Sequence, residues 1–198
     1  MGNSKTTDIL VMEKVLSLET DRLILRQWIE TDFVGFCEMN ADPEVMRYFP
    51  STLTESECHD FMSKMSSLIR EQGWGFWAVE IKAINEVIGF VGLNSPRTQF
   101  PFSPCVEVGW RLHKKYWGFG YATEAGKKSL GYGFSQLNLN EIVAFTTETN
   151  SNSRKVMDRL GMSNTGENFA FPDLPLEHPL SEHVLYKITK SEWLESSL

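Results

Sequence analysis

Residues 105–125 read CVEVGWRLHKKYWGFGYATEA and are the most informative stretch of this sequence. The stretch starts as an apolar strand, Val106 to Leu112, passes through a basic turn containing glycine, and becomes helical near Tyr121. Gly118 and Gly120 have no Cβ atom, so backbone N–H groups can approach a ligand closely there. The unpaired N–H groups at the helix start carry partial positive charge and point at the same place. The stretch therefore predicts an anion-binding site.

Two familiar phosphate-binding loops do not match this turn. A Walker A loop has four residues between its glycines and a Ser or Thr after its lysine. Here five residues separate Gly120 from Gly126, and Lys127 is followed by Lys128. A dinucleotide-binding GxGxxG would need glycine at position 123, where this chain has Thr123. That motif also follows the first strand of a parallel unit, and this turn does not. Both nucleotide-binding interpretations are excluded.

Hydrophobic periodicity along the rest of the chain predicts a mixed α/β fold. Hairpins dominate the first half, and helices separate strands in the second half, which is typical of a mixed sheet flanked by helices. We expect one domain over residues 16–198 after a loose arm at residues 1–15. The predicted strands are Leu18 to Trp28, Trp74 to Lys82, Glu86 to Leu93, Val106 to Leu112, Glu141 to Thr147, Met162 to Phe171 and His183 to Thr189. The predicted helices follow Thr31 and Asp32, a Thr54–Glu57 capping box, Ala122 and Ser151.

Composition excludes several classes of function. The net charge of −7 makes general nucleic-acid binding improbable, because that binding requires surplus Lys and Arg. No apolar run reaches the roughly 18 residues of a membrane span, so we expect a cytoplasmic protein without membrane contact. The three cysteines lack C-x-x-C spacing, and the four histidines show no metal-ligand spacing. We therefore expect neither a disulfide framework nor a metal.

The central stretch closely resembles the acyl-CoA loop of the GNAT superfamily of N-acetyltransferases. That loop reads Arg or Gln, two residues, Gly, one residue, then Gly or Ala. Lys115 to Gly120, KYWGFG, fill these positions in order. The flanking VEVGWRL and YATEA resemble the subgroup that acetylates ribosomal-protein N-termini and related amines.

A second motif strengthens the resemblance. Asn150 and Ser153 begin a segment, NSNSRKVMDRLGM, that resembles the family's N-x-x-S helix start. Ordinary helix N-capping would also explain both residues, and the two roles are compatible. The resemblance implies a splayed, mostly antiparallel central sheet with acetyl-CoA between its parted strands. The residues it places at the cofactor are Trp110, Arg111, Leu112, Lys115, Trp117, Gly118, Phe119, Gly120, Tyr121, Ala122, Asn150 and Ser153.

Acetyl transfer to an alkyl amine needs a base, because such an amine is mostly protonated at neutral pH. Glu107 matches the position where many relatives carry that base; a structural pair with Arg111 on the same face is the alternative. The tyrosine that many relatives use as general acid is replaced by Met157. Ser153 and Tyr186 are the remaining candidates for the acid.

The acceptor is an amine, either a protein N-terminus or a small molecule, and the chain is expected to be a monomer or homodimer. A non-catalytic acyl-CoA-binding or regulatory module is the alternative function. Residues 94–104 and 167–179 are expected to form acceptor loops. The aromatic residues Trp74, Trp77, Phe100 and Phe102 could line an acceptor pocket, although strand aromatics more often belong to the core.

Overall fold

The computed structural model describes residues 17–196, in which one sheet of nine strands is flanked by five helices. The predicted N-terminal arm at residues 1–15 lies outside the described residues. The strands are β1 (Leu18–Glu19), β2 (Leu23–Arg26), β3 (Phe76–Ile81), β4 (Glu86–Asn94), β5 (Glu107–Leu112), β6 (Glu141–Thr147), β7 (Ser163–Asn164), β8 (Phe169–Ala170) and β9 (Glu182–Thr189). The helices are α1 (Phe33–Ala41), α2 (Glu55–Gln72), α3 (Tyr121–Ser135), α4 (Ser151–Arg159) and α5 (Lys190–Ser196).

The strands run in the order β1-β2-β3-β4-β5-β6-β9-β7, and β8 also pairs with β9. Every pairing is antiparallel except that of β5 with β6. The chain is a single α/β domain with a mixed, mostly antiparallel sheet, which confirms the predicted fold class. The single parallel pair arises because α3 carries the chain from the end of β5 back to the start of β6.

The first predicted strand is wrong in one respect, because Leu18 to Trp28 contains two strands and not one. A turn separates them: the Thr20 backbone N–H donates to the Leu23 carbonyl (3.0 Å), and the Leu23 N–H donates to Thr20 Oγ1 (2.9 Å). The alternation seen in the sequence still holds within β2, where Leu23 and Leu25 are fully buried. The turn brings Arg22 to the surface, where it reaches α3.

Helix α2 begins and ends as the sequence predicts. Thr54 Oγ1 accepts from the Glu57 backbone N–H (3.3 Å), and Glu57 Oε2 accepts from the Thr54 N–H (2.8 Å). Gly73 ends the helix in a left-handed conformation (φ 84°). The predicted hairpin is also present, with β3 and β4 joined by a turn in which Asn85 has φ 52°.

Two clusters of buried side chains hold the layers together. The first joins α1 and α2 to β2, β3 and β4, with Leu25, Met39 and Trp77 fully buried. The second joins α3 and α4 to β6 and β9, with Leu130 and Ile142 fully buried. Each buried side chain of this size contributes about 1.5–3 kcal/mol to the stability of the fold.

The last part of the chain departs most from the prediction. The expected strand from Met162 to Phe171 is reduced to the two-residue strands β7 and β8, and α5 was not predicted. Both short strands pair only with β9, so tertiary pairing and not local sequence creates them. Within residues 17–196, no helix combines the length and apolarity that crossing a membrane would require.

Candidate active site

The sheet opens between β5 and β6. These strands pair only at Glu107 and Val143, where the Val143 N–H donates to the Val106 carbonyl (3.0 Å). Beyond that point β5 continues to pair with β4 alone, along its whole length. The β6-facing edge of β5 is therefore left without a neighbouring strand from Val108 onward, as the family resemblance implied.

Alternation along β5 decides which backbone groups reach this opening. The His113 N–H donates to the Ile88 carbonyl in β4 (2.9 Å), so Arg111, two residues earlier, also directs its backbone groups toward β4. The backbone groups of Trp110 and Leu112 face the opening instead. Of Trp110, Arg111 and Leu112, which the resemblance places at the cofactor, Arg111 reaches the cavity through its side chain.

The glycine turn lies at the end of β5. A short 3-10 turn at Lys114–Tyr116 leads into it, and Gly118 (φ 84°) and Gly120 (φ 82°) both adopt left-handed conformations that favour glycine. Gly120 caps α3, so the first N–H groups of that helix point toward the turn. A Cβ atom added to Gly118 would meet no heavy atom within 4 Å. Conformation and ligand access, not crowding within the protein, therefore account for glycine at this position.

Arg22, which the sequence reasoning missed, holds the turn from outside. Its Nη2 lies 2.6 Å from Glu124 Oε2 in the first turn of α3, and its Nη1 donates to the Phe119 carbonyl (3.1 Å). Its guanidinium also lies 4.5 Å from the centre of the Tyr121 ring. These contacts connect residues about a hundred positions apart, and no local pattern in the sequence indicates them.

The side chains of the turn point in different directions. Lys115 is exposed and its Nζ pairs with Glu86 Oε1 (2.6 Å), away from the opening. Phe119 is also exposed and its ring stacks on Tyr121, with centroids 5.9 Å apart. Trp117 lies along the opening, and its indole N–H donates to the Leu112 carbonyl (2.8 Å).

A cavity of about 780 Å³ occupies the opening. This volume falls within the range of cofactor and substrate sites. Trp110, Arg111, Leu112, Trp117, Gly118, Gly120, Tyr121, Ala122, Asn150 and Ser153 line it, as do Glu107 and Met157, whereas Lys115 and Phe119 do not.

Glu107 lies where the two strands part, and its side chain faces the cavity. Asn94 Nδ2 donates to its Oε1 (2.7 Å). Burial raises the pKa of the Glu107 carboxyl to about 7, although the hydrogen bond from Asn94 opposes that shift. A carboxyl group with this pKa can accept and release a proton near neutral pH.

The expected alternative, an ion pair between Glu107 and Arg111, is not formed. Arg111 donates instead to Asn40 Oδ1, and its guanidinium stacks on the ring of Phe49 at 4.1 Å. Burial lowers the pKa of Arg111 to about 10, so the group remains cationic at neutral pH. Glu107 is therefore available for chemistry.

The start of α4 forms the opposite wall. Asn150 Oδ1 accepts from the Ser153 backbone N–H (3.2 Å), which is the N-capping contact expected from the sequence. Asn150 Nδ2 donates to Thr146 Oγ1 (2.9 Å) and Ser153 Oγ (3.1 Å). Both residues also line the cavity, so helix capping does not remove them from the opening.

The two candidate acids differ in position. Ser153 lines the cavity, whereas Tyr186 is buried in the second core cluster and does not. The Tyr186 hydroxyl accepts from Arg154 Nε (3.3 Å). Met157, at the position of the usual tyrosine, is fully buried and reaches the cavity wall. Ser153 is thus the candidate acid that the fold brings to the opening.

The four aromatic residues that the sequence suggested for an acceptor pocket lie elsewhere in the structure. Trp77 is fully buried in the core, and Phe100 is covered by other rings. None of the four predicted aromatics lines the cavity, within the described part of the chain. Besides Trp110, Tyr116, Trp117 and Tyr121 of the central stretch, aromatic side chains from other segments line it: Tyr48, Phe49, Phe61, Phe76, Phe90, Phe145, Phe171 and His183. Phe61 lies on α2 and also packs against the first core cluster.

A sheet parted at its parallel pair, a glycine turn at one end and a titratable carboxyl in the opening together define an acyl-group transferase. The family model described as the acetyltransferase (GNAT) domain matches residues 22–163 of the sequence. The chain belongs to the GNAT family of N-acetyltransferases, which confirms the family predicted from the two motifs.

Similar proteins span most of this chain. It is 33% identical over 152 residues to the uncharacterized N-acetyltransferase p20 of Bacillus licheniformis, covering 76% of this chain and 84% of that protein. It is 32% identical over 166 residues to the FsC-acetyl coenzyme A-N(2)-transacetylase of Aspergillus fumigatus, covering 79% and 69%. A GNAT-family acetyltransferase structure from Bacillus anthracis superposes with a TM-score of 0.73 at 25% identity, covering 89% of this chain and 99% of that one.

Proposed function

We propose that this chain moves the acetyl group of acetyl-CoA to a primary amine by direct attack within a ternary complex. The observation that carries the proposal is the position of Glu107: its carboxyl group, with a pKa of about 7, shares one cavity with the glycine turn. The family implies acetyl-CoA as the acyl donor. A base and a donor site in one cavity are the requirements of this reaction.

The chain offers a separate group for each part of the donor. The left-handed turn at Gly118 and Gly120 and the N-terminus of α3 would hold the diphosphate. The open edge of β5 at Trp110 would hydrogen-bond the pantetheine amides, with Asn150 and Ser153 on the facing wall. When bound, acetyl-CoA supplies an electrophilic thioester carbonyl at the opening.

Glu107 would make the acceptor nucleophilic. An alkyl ammonium of pKa about 10 gives its proton to the carboxylate, directly or through water, and the neutral nitrogen attacks the carbonyl carbon. The carbon–sulfur bond then breaks, and the sulfur leaves with the bonding electrons. The nitrogen, which now carries the acetyl group, gives up its second proton, and the Ser153 hydroxyl would relay that proton to the thiolate. The first proton, held by Glu107, returns to solvent. A thiolate with a pKa of about 8.5 is a fair leaving group even without a strong acid.

The acceptor is either a protein N-terminus or a small-molecule amine. The name of the Aspergillus relative, an acetyl coenzyme A-N(2)-transacetylase, describes acetyl transfer to a nitrogen, which supports an amine as the acceptor. The aromatic wall of the cavity supports an acceptor with apolar surface beside its amine.

A non-catalytic acyl-CoA-binding module is the second candidate function. Met157 in place of the usual tyrosine, together with the position of Tyr186 outside the cavity, favours it. The two functions differ in turnover and not in cofactor affinity. Acetyl-CoA binding without thiol release from any amine would identify the binding module.

Acetyl-CoA-dependent thiol release, measured against peptides with free N-termini, polyamines, amino acids and aryl-alkyl amines, tests the proposal. Turnover with at least one acceptor class is expected. Glu107→Gln should reduce kcat by about 100-fold or more with little change in acetyl-CoA affinity, since general bases contribute about 10²–10⁴-fold. Glu71→Gln, on the exposed face of α2, is the matched control and should leave the rate unchanged. Equal rates for Glu107→Gln and the wild type would remove Glu107 as the base.

A further inference from the structure

Arg111 is a cation enclosed by neutral groups. Its Nη1 donates to Asn40 Oδ1, and its guanidinium lies 4.1, 5.3 and 5.9 Å from the ring centres of Phe49, Phe90 and Phe61. Its Nε is buried and has no hydrogen-bond partner. The side chain lines the cavity that also contains Glu107.

No carboxylate within residues 17–196 forms an ion pair with Arg111. Two acidic residues of the cavity lining have other partners: Glu44 lies 3.4 Å from Lys114, and Asp173 accepts from Thr98 (3.0 Å). Burying a charge without a counter-charge is costly, and an arginine fork is shaped to bind a carboxylate through two parallel hydrogen bonds. A bound anionic ligand would supply the missing counter-charge and offset the cost of burying the Arg111 guanidinium.

We propose that Arg111 binds an anionic group of the acceptor, so that the natural acceptor carries a carboxylate as well as the amine to be acetylated. This inference rests on the proposed function and names the acceptor class for the same site. The guanidinium and the rings of Phe49, Phe61 and Phe90 form the anion subsite. The aromatic rings restrict the guanidinium plane and exclude water around it.

The position of the subsite separates it from the diphosphate site. The Arg111 side chain contacts α1, the α1–α2 connection and α2, whereas the glycine turn leads into α3. Glu107 and Arg111 are four residues apart on one strand and thus share a face of the sheet. The amine and the anion of one acceptor would reach these two groups from the same side.

The strand spacing also limits the shape of the acceptor. Four residues of strand separate the two Cα atoms by about 13 Å, and side chains on one face of a strand extend roughly parallel to each other. A compact α-amino acid such as glycine is too short to bridge this distance. The acceptor is therefore an extended amino acid or a short peptide with a free carboxylate.

Calorimetry on the complex with CoA tests the subsite without requiring turnover. The probes are glycine, 4-aminobutyrate, 6-aminohexanoate and diglycine, each compared with its carboxamide. The wild type should bind an extended probe about 10- to 100-fold more tightly as the carboxylate than as the carboxamide, which is the range for a charge-assisted hydrogen-bonded pair. Arg111→Met, which keeps an apolar stem against the rings, should abolish that difference. Arg111→Lys should retain part of it.

Three controls distinguish an acceptor subsite at Arg111 from a contact with the cofactor or a general effect of surface charge. Arg70→Met removes an exposed arginine of α2 outside the cavity and should change nothing. CoA affinity of Arg111→Met should equal that of the wild type; a tenfold or larger loss would overturn the inference and assign Arg111 to a cofactor phosphate. Equal binding of carboxylates and carboxamides by the wild type would also overturn it. Thiol release measured in parallel reports on the proposed function alone.

Discussion

The two ends of the cavity differ in how their residues are distributed along the sequence. The end that would hold the cofactor comes from two continuous segments, residues 108–123 without the Arg111 side chain, and the start of α4. The end that would hold the acceptor comes from the α1–α2 connection, single residues of β3, β4 and β6, and the loop before β9. Binding of an invariant cofactor can be encoded locally, whereas the shape of the acceptor end depends on how distant segments pack.

The largest effect expected at the cofactor end comes from filling the glycine turn. Gly118→Val should weaken CoA binding by about 100-fold or more, because its side chain blocks backbone approach and disfavours the left-handed conformation. Gly73→Val is a closely matched control: Gly73 has the same φ of 84° and equally open surroundings, but it caps α2 away from the cavity. Both variants should lose about 1–3 kcal/mol of stability from backbone strain. Similar CoA affinities for the two variants, measured by calorimetry, would contradict the site.

The difference between the ends also explains what the sequence could predict. The capping box of α2, the β3–β4 hairpin and the strand–turn–helix around Gly118 depend on neighbours a few residues apart, and periodicity finds such features. Arg22 reaches the site from a distant segment, and nothing in its local sequence indicates this. Phe171, by contrast, lies in the predicted acceptor loop at residues 167–179 and lines the cavity. The placement of Tyr186 in the core follows from β9 pairing beside β6.

Glu107 belongs to the local motif by sequence but faces the opening between the two ends. Its pKa is about 7 in the folded chain and near 4.5 in the unfolded chain, so the folded protein binds more protons between these values. Stability should therefore fall as pH rises from about 4.5 to 7 and then level off. Glu107→Gln does not titrate and still offers an oxygen that accepts from Asn94, so this variant should not lose stability as pH rises. Its unfolding free energy should exceed that of the wild type by a difference that grows with pH to at most about 3 kcal/mol above pH 7.

Denaturant unfolding of both proteins at pH 5, 6, 7 and 8 measures this effect. A constant difference in unfolding free energy across the series would mean that Glu107 does not titrate with a raised pKa.

A substitution of Arg22 shows whether the cofactor end of the cavity depends on a residue outside the two segments that form it. Arg22→Met removes the contacts to Glu124 and the Phe119 carbonyl, so the turn should become less ordered and CoA affinity should fall by about 3- to 10-fold. The exposed ion pair itself contributes little to stability, about 0–1 kcal/mol. Lys187→Met breaks another exposed pair, with Glu141, and should leave CoA affinity unchanged. An unaltered dissociation constant for Arg22→Met would show that the glycine turn is ordered by its own residues.

The pH dependence of the contribution that Glu107 makes to the rate shows whether its carboxylate removes the proton from the amine. The quantity to measure is the ratio of kcat/KM for the wild type to that for Glu107→Gln from pH 5.5 to 9, in which titration of the amine cancels. The ratio should rise about tenfold per pH unit below about 7 and become constant above it, because only the deprotonated carboxylate acts as a base. A ratio independent of pH over the whole range would contradict the assignment.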